Sequence, residues 1–130
     1  MIEFHLDPSS GVATYLQLEQ QVRQALQLGV LEPGDRLPTA AQVVASLAIN
    51  PNTVLKAYRD LEREGLVRAR PGLGTFVIGQ LPRTDPAAQE KFRRSLMTWL
   101  RGAREAGLSL DEIEAIYRTA IRNSATEGAA

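Results

Sequence analysis

Between Asn50 and Gly65 the chain carries a helix with one place to begin and one place to end, and no other segment limits the fold as strongly. Asn50 offers a side-chain oxygen to the first free amides, and Pro51 suits the first helical position, where its missing N–H would have no partner. At the far end Gly65 stands where a left-handed residue closes a helix, and Leu66 beyond it can fold back on Leu61. Val54, Ala57, Tyr58 and Leu61 fall on one inward stripe, while Asn52 and Thr53 project from the N-terminal end with Lys56 one turn later.

The neighbouring segments are punctuated in the same way. Met1–Ser10 reads as an extended arm ending in the turn cluster Asp7-Pro8-Ser9-Ser10-Gly11. A first helix is expected from about Thr14 to Leu28, with Leu18, Val22, Ala25 and Leu26 inward and a stop at Gly29. Glu32–Asp35 is a turn and Arg36-Leu37 a short extended stub. Thr39-Ala40-Ala41-Gln42 has the pattern of a capping box and opens a second helix, about Ala40 to Leu47, with Ala48-Ile49 as a tight connection into the Asn50 helix. After Gly65, Leu66–Arg70 and Thr75–Ile78 read as strands around Pro71-Gly72-Leu73-Gly74, and alternation puts Arg68 and Arg70 on one face.

Two helices joined by a short turn and followed by a basic hairpin make a winged helix-turn-helix. The positive end of a helix that presents amides and hydroxyls suits phosphates and base edges, as the recognition helix of such a fold requires. Taken alone, Asn50–Thr53 is also simply a well-capped helix start, and Arg68 and Arg70 could be solvated strand residues. Arg59 and Arg63 read as solvent-facing partners of Asp60 and Glu62 rather than DNA contacts.

Leu81–Pro86 is a linker. The next helix has Asp85 as N-cap, Pro86 in first position and an end at Gly107, with Phe92, Leu96, Trp99, Leu100 and Ala103 on its apolar stripe. Ser109–Glu112 is another capping box, opening a last helix with Ile113, Ile116, Tyr117, Ala120 and Ile121 inward; the final few residues are expected to fray. Two helices of this size cannot enclose a stable core alone, so their stripes must meet other surfaces. Phe92, Trp99 and Tyr117 fit a core or an interface better than a ligand cage.

Bulk properties exclude several classes. The chain has 130 residues, no cysteine and one histidine, His5, in the arm. Disulfide frameworks, cysteine-based zinc sites and thiolate nucleophiles are therefore out, and a serine triad would have to use a terminal-arm histidine; no enzyme, metal or cofactor is expected. The glycines at 72 and 74 open no helix and form no nucleotide-phosphate loop. No apolar run approaches the roughly 18 residues of a membrane helix, and Met1–Phe4 lacks signal-peptide features, so a cytoplasmic protein with no membrane partner is expected. Fifteen basic residues balance fifteen acidic ones. From Asn50 to Gly74, however, five basic residues face three acidic ones, so a DNA-binding surface must be local.

Gly34-Asp35-Arg36-Leu37-Pro38-Thr39, Ile49–Val54, Lys56–Arg59, Leu61-Glu62, Glu64–Val67 and Gly72–Val77 resemble the GntR family of bacterial transcriptional regulators, and the short helical tail resembles its YtrA branch. The resemblance spans the chain and is most specific from Gly34 to Val77. It implies a mainly α fold with a small β-hairpin: a winged helix-turn-helix DNA-binding domain at residues 1–80 and a two-helix dimerisation tail at 81–130. It also implies a transcriptional regulator, a repressor, that binds a palindromic operator on double-stranded DNA as a homodimer. Carried over by position, Thr39 would touch the phosphate backbone; Asn50, Asn52, Thr53 and Lys56 would serve the major groove and flanking phosphates; Arg68, Arg70, Gly72 and Gly74 would form the wing. Phe92, Leu96, Trp99, Leu100, Ile113, Ile116, Tyr117 and Ile121 would make the dimer interface. Relatives usually carry Arg then Glu in the second helix, where this chain has Ala41 and Gln42. A small-molecule effector is compatible with the branch, but no residue pattern identifies one. The rival function is a winged-helix module that uses the same surface for protein contacts.

Overall fold

The computed structural model describes residues 1–129, whose elements follow one another as α1 (Thr14–Gln27), α2 (Ala40–Leu47), α3 (Pro51–Arg63), β1 (Val67–Arg70), β2 (Gly74–Val77), α4 (Pro86–Glu105) and α5 (Leu110–Ala129). They form two compact units, Met1–Pro86 and a second from Ala87 onward. The mainly α winged-helix fold expected from the sequence is therefore the fold observed, with strand ends shifted by one residue.

Local chemistry explains the helix ends. The Thr39 hydroxyl accepts from the Gln42 amide at 3.1 Å while the Gln42 side chain accepts from the Thr39 amide at 2.9 Å, a complete capping box. Asn50 Oδ1 accepts from the Asn52 amide at 2.9 Å. At the end of α3 the Leu66 amide donates to the Leu61 carbonyl and the Gly65 amide to the Glu62 carbonyl, with Gly65 at φ +79°: the Schellman closure. The turn between α2 and α3 is less usual. Ala48 holds φ 53° and ψ 43°, a left-handed conformation that a side chain disfavours.

The core of the first unit lies where α1, α2, α3 and the hairpin meet. Leu18, Val22, Leu37, Val54, Leu61, Val67 and Val77 are fully buried there, and Phe4 of the N-terminal arm joins them. The arm is held to α1 by two glutamines. The Gln21 carboxamide accepts from the His5 amide and donates to the His5 carbonyl, and Gln17 does the same for Asp7. Phe4 is buried and Ile2 and Leu6 partly so, whereas Glu3, His5 and Asp7 are exposed.

The sheet is wider than a hairpin. In β1 and β2, Val67 pairs with Val77, Arg68 with Phe76, Ala69 with Thr75 and Arg70 with Gly74. The stub before α2 adds a bridge between Arg36 and Phe76, extended by the bond from the Leu37 amide to the Thr75 carbonyl at 2.9 Å. Beyond the hairpin, the linker residue Arg83 folds back on Glu32 at 3.4 Å and across Gly29.

In the second unit, Ser109 and Glu112 form the expected capping box at the start of α5, each bond 3.1 Å long. No side chain of α4 is buried. Among the described residues of the tail, Ile113 is the exception, being buried within the single chain. α5 runs through Ala129, and Ala130 lies outside the described residues.

Candidate nucleic-acid interface

The DNA-facing candidates sit on three supports. Thr39 caps α2, Asn50 to Lys56 form the start of α3, and Arg68, Arg70, Gly72 and Gly74 lie in the hairpin. Asn52 is exposed and Thr53 half-buried, and their side chains take no part in the capping of α3. Asn50 and Thr39 differ from them, because each uses a side-chain oxygen to close a helix start. The Thr39 hydroxyl keeps its proton, and Asn50 keeps its amide hydrogens, for an outside acceptor.

Lys56 is more constrained than its position implied. Its ammonium lies 4.6 Å from the centre of the Tyr15 ring and 3.7 Å from Asp60 Oδ2, so α1 contributes to placing a recognition-helix cation. Asp60 also receives Arg63, at 3.2 Å, in keeping with the expected solvent-facing ion pair. Glu62 turns instead to the hairpin, where its carboxylate accepts from the Ala69 amide at 2.7 Å and ties β1 to α3.

The hairpin presents its arginines outward. Val67 and Val77 point to the core, so the opposite face carries Arg68, Arg70 and Phe76. The Arg70 guanidinium stacks 5.2 Å from the centre of the Phe76 ring. Arg36, bridged to Phe76, joins the same face and lays its side chain over Gly74. Gly74 has φ +123°, and a Cβ there would come within 2.8 Å of Arg36 Nε. Glycine at this position therefore serves two needs, a backbone that side chains disfavour and a close pass by arginine. Arg36 is a site candidate that sequence reasoning missed, since a two-residue stub gives no sign of pairing with a strand 40 residues later. The reading of Arg36-Leu37 as a short extended stub is the nearest signal.

At position 41 the side chain is an exposed methyl on the first turn of α2. The Gln42 carboxamide uses its oxygen in the capping box and keeps its two N–H donors for an outside acceptor. Among the described residues no group of three or more acidic or histidine side chains could hold a metal, and no helix is long and apolar enough to cross a membrane.

In the tail, Leu96, Trp99, Leu100, Leu110, Ile113 and Tyr117 surround an open apolar groove of about 430 Å³ between α4 and α5. Phe92 is 68% exposed, Trp99 41% and Ile121 51%, so large apolar side chains of both helices face water.

Comparison with known proteins follows these features closely. Residues 14–77 match the sequence profile of the family described as bacterial regulatory proteins, gntR family. The chain is 32% identical over 109 residues to the HTH-type transcriptional repressor YtrA of Bacillus subtilis, covering 83% of this chain and 84% of that one. Its fold is similar to that of YtrA from Sulfolobus acidocaldarius, a GntR-family transcription factor, with a TM-score of 0.52, 27% identity and coverage of 94% and 97% of the two chains. It is also similar to the DNA-binding domain of AraR in complex with the operator ORX1, with a TM-score of 0.50 and 26% identity over 57% of this chain and 92% of that one.

Proposed function

Because the chain belongs to the GntR family, in its YtrA-like branch, and is a transcriptional regulator with a DNA-binding winged helix-turn-helix, we propose that it acts as a homodimeric repressor on a palindromic operator. The observation that carries this reading is the pairing of two surfaces: an arginine-lined wing beside an open polar helix start, and a tail whose α4 buries nothing by itself. Asn52 and Thr53 read base edges, Lys56 and Thr39 meet phosphates, and Arg36, Arg68 and Arg70 follow the DNA backbone from the wing, with Gly72 and Gly74 allowing close approach. Asn50 acts first as the cap that sets the direction of α3.

Phe92, Leu96, Trp99, Leu100, Ile116, Tyr117 and Ile121 form a self-complementary patch for a second copy, with Ile113 packed beneath them. A two-fold dimer presents two heads in mirror order, which is why its operator is palindromic. The similar YtrA of Bacillus subtilis is named a repressor, and the similar AraR domain is described bound to operator DNA; both support the reading.

The test selects duplexes from random DNA with the purified protein and measures its mass by light scattering. A selected inverted repeat and a dimeric mass are expected. A monomer at high micromolar concentration, or a selected site without two-fold symmetry, overturns the proposal.

A further inference from the structure

Three pairs of residues connect α1 to α3, each member one helical turn from the next: Tyr15 with Lys56, Glu19 with Asp60, and Arg23 with Glu64. The outer rungs are attractive. Lys56 lies over the Tyr15 ring, and Arg23 Nε donates to Glu64 Oε2 at 3.1 Å. The middle rung sets two carboxyl groups against each other. Glu19 is 2% exposed, and its Oε2 is buried without a donor. Its Oε1 is 3.6 Å from Arg23, which is already committed to Glu64. Asp60 carries Lys56 at 3.7 Å and Arg63 at 3.2 Å on its two oxygens.

A buried carboxyl with no donor and an acidic neighbour is costly as an anion. A proton on Glu19 removes one charge and supplies the missing hydrogen bond. We infer that Glu19 is a positioning residue for the DNA surface, acting through Asp60 to set how firmly Lys56 is held back from a phosphate, so that binding DNA takes up a proton at this pair. The inference rests on the assignment of Lys56 to phosphate contact.

The groups that face Glu19 are Arg23 on its own helix and Asp60 and Glu64 from α3; Lys56 and Arg63 face it through Asp60. Burial, and then the Asp60 charge, push the Glu19 carboxyl above its ordinary value of 4.5, against a smaller opposite pull from Arg23. The protonated form is thus favoured by folding. Its contribution to stability is complete below the unfolded value and is lost as pH rises through the folded one. Above that point Glu19 adds a second anion beside the Asp60 that holds Lys56, and the pair repels DNA. Below it Asp60 is the lone anion of the pair, and Lys56 is freer to reach outward. A polyanion arriving on this face raises the carboxyl further. By linkage the protonated form then binds more tightly, by about 3–10-fold.

The experiment compares the wild type with Glu19→Gln, both in a His5→Gln background so that the chain holds no imidazole. The probe is the duplex selected by the wild type, at fixed salt from pH 5 to 8, with calorimetry in phosphate and in Tris to count protons. Unfolding midpoints without DNA are followed over the same range. The wild type is expected to take up a fraction of a proton and to bind about 3–10-fold more weakly at the high end. Glu19→Gln is expected to take up none, to bind at the tighter limit throughout, and to lose the fall in unfolding midpoint with pH. Asp60→Asn, which spares Glu19, should reduce the uptake as well. An identical pH profile and proton count in the wild type and Glu19→Gln overturns the inference. A wild type that selects no duplex at any pH, while its midpoint still depends on Glu19, overturns the DNA assignment of Lys56 and the inference with it.

Discussion

Tyr58→Phe removes one oxygen from the centre of the head and leaves the ring in place. The Tyr58 hydroxyl donates to the Pro38 carbonyl at 2.6 Å, the residue is buried, and burial pushes the phenol well above its ordinary value, so it is neutral and donating at every working pH. Phe fills the same volume, so no cavity arises. The loss is the bond itself plus a buried carbonyl left without its donor, together about 1–3 kcal/mol. Pro38 precedes the Thr39 cap, so the bond also ties α3 to the start of α2. At about 2 kcal/mol and a urea slope near 1.5 kcal/mol/M, the midpoint should fall by roughly 1.3 M. The single tryptophan, Trp99, lies in α4 and reports the tail, so head unfolding should be followed by far-ultraviolet circular dichroism or by amide exchange within α3. A fall equivalent to less than about 0.5 kcal/mol would refute the reasoning, since it would mean that the Pro38 carbonyl finds water or another donor at no cost.

Ala48→Gly should stabilise the head by about 0.5–1 kcal/mol, measured by denaturant titration, because the left-handed strain it relieves exceeds the added freedom of the unfolded chain. Asn52→Ala should cost about 1–3 kcal/mol on a selected duplex and much less on random DNA; equal losses on both would show that Asn52 does not read bases. Ala41→Arg adds one cation to each half of a dimer, so it should tighten binding and steepen the slope of log affinity against log salt by about two units. Unchanged or weaker binding by that variant would mean that this head docks differently from its relatives.

The parts that were legible in the chain are those decided within a few residues. Asn50-Pro51, the Thr39 and Ser109 capping boxes and the Gly65 closure place helix ends by local hydrogen bonding, so α2, α3 and the start of α5 stand where the sequence put them. What escaped depends on partners far along the chain. Glu19 reads as one more solvated charge in a helix, and only its crossing with α3 buries it against Asp60, 41 residues later. Tyr15 and Arg36 likewise acquire their roles from Lys56 and Phe76. The paired glycines at 72 and 74 announced a tight hairpin, but the arginine lying over Gly74 had no local signature.

The two glutamines that hold the N-terminal arm carry a consequence of scale. Each carboxamide turns its oxygen and one of its two N–H groups to the arm, so Gln21 and Gln17 face His5 and Asp7 as a neighbouring strand's peptides would. Four residues of helix advance about 6.0 Å, whereas two residues of extended chain advance about 6.6 Å. The two rulers agree over one step and drift apart by about 0.6 Å at each further one, like the scales of a vernier. Ala25, one turn beyond Gln21, has no carboxamide, so here the helix imitates a strand for two rungs. Gln17 spends its remaining capacity on the turn itself, at Ser10 and Val12, where the extended run stops. The helix thereby gives the arm a partner that cannot template a growing sheet.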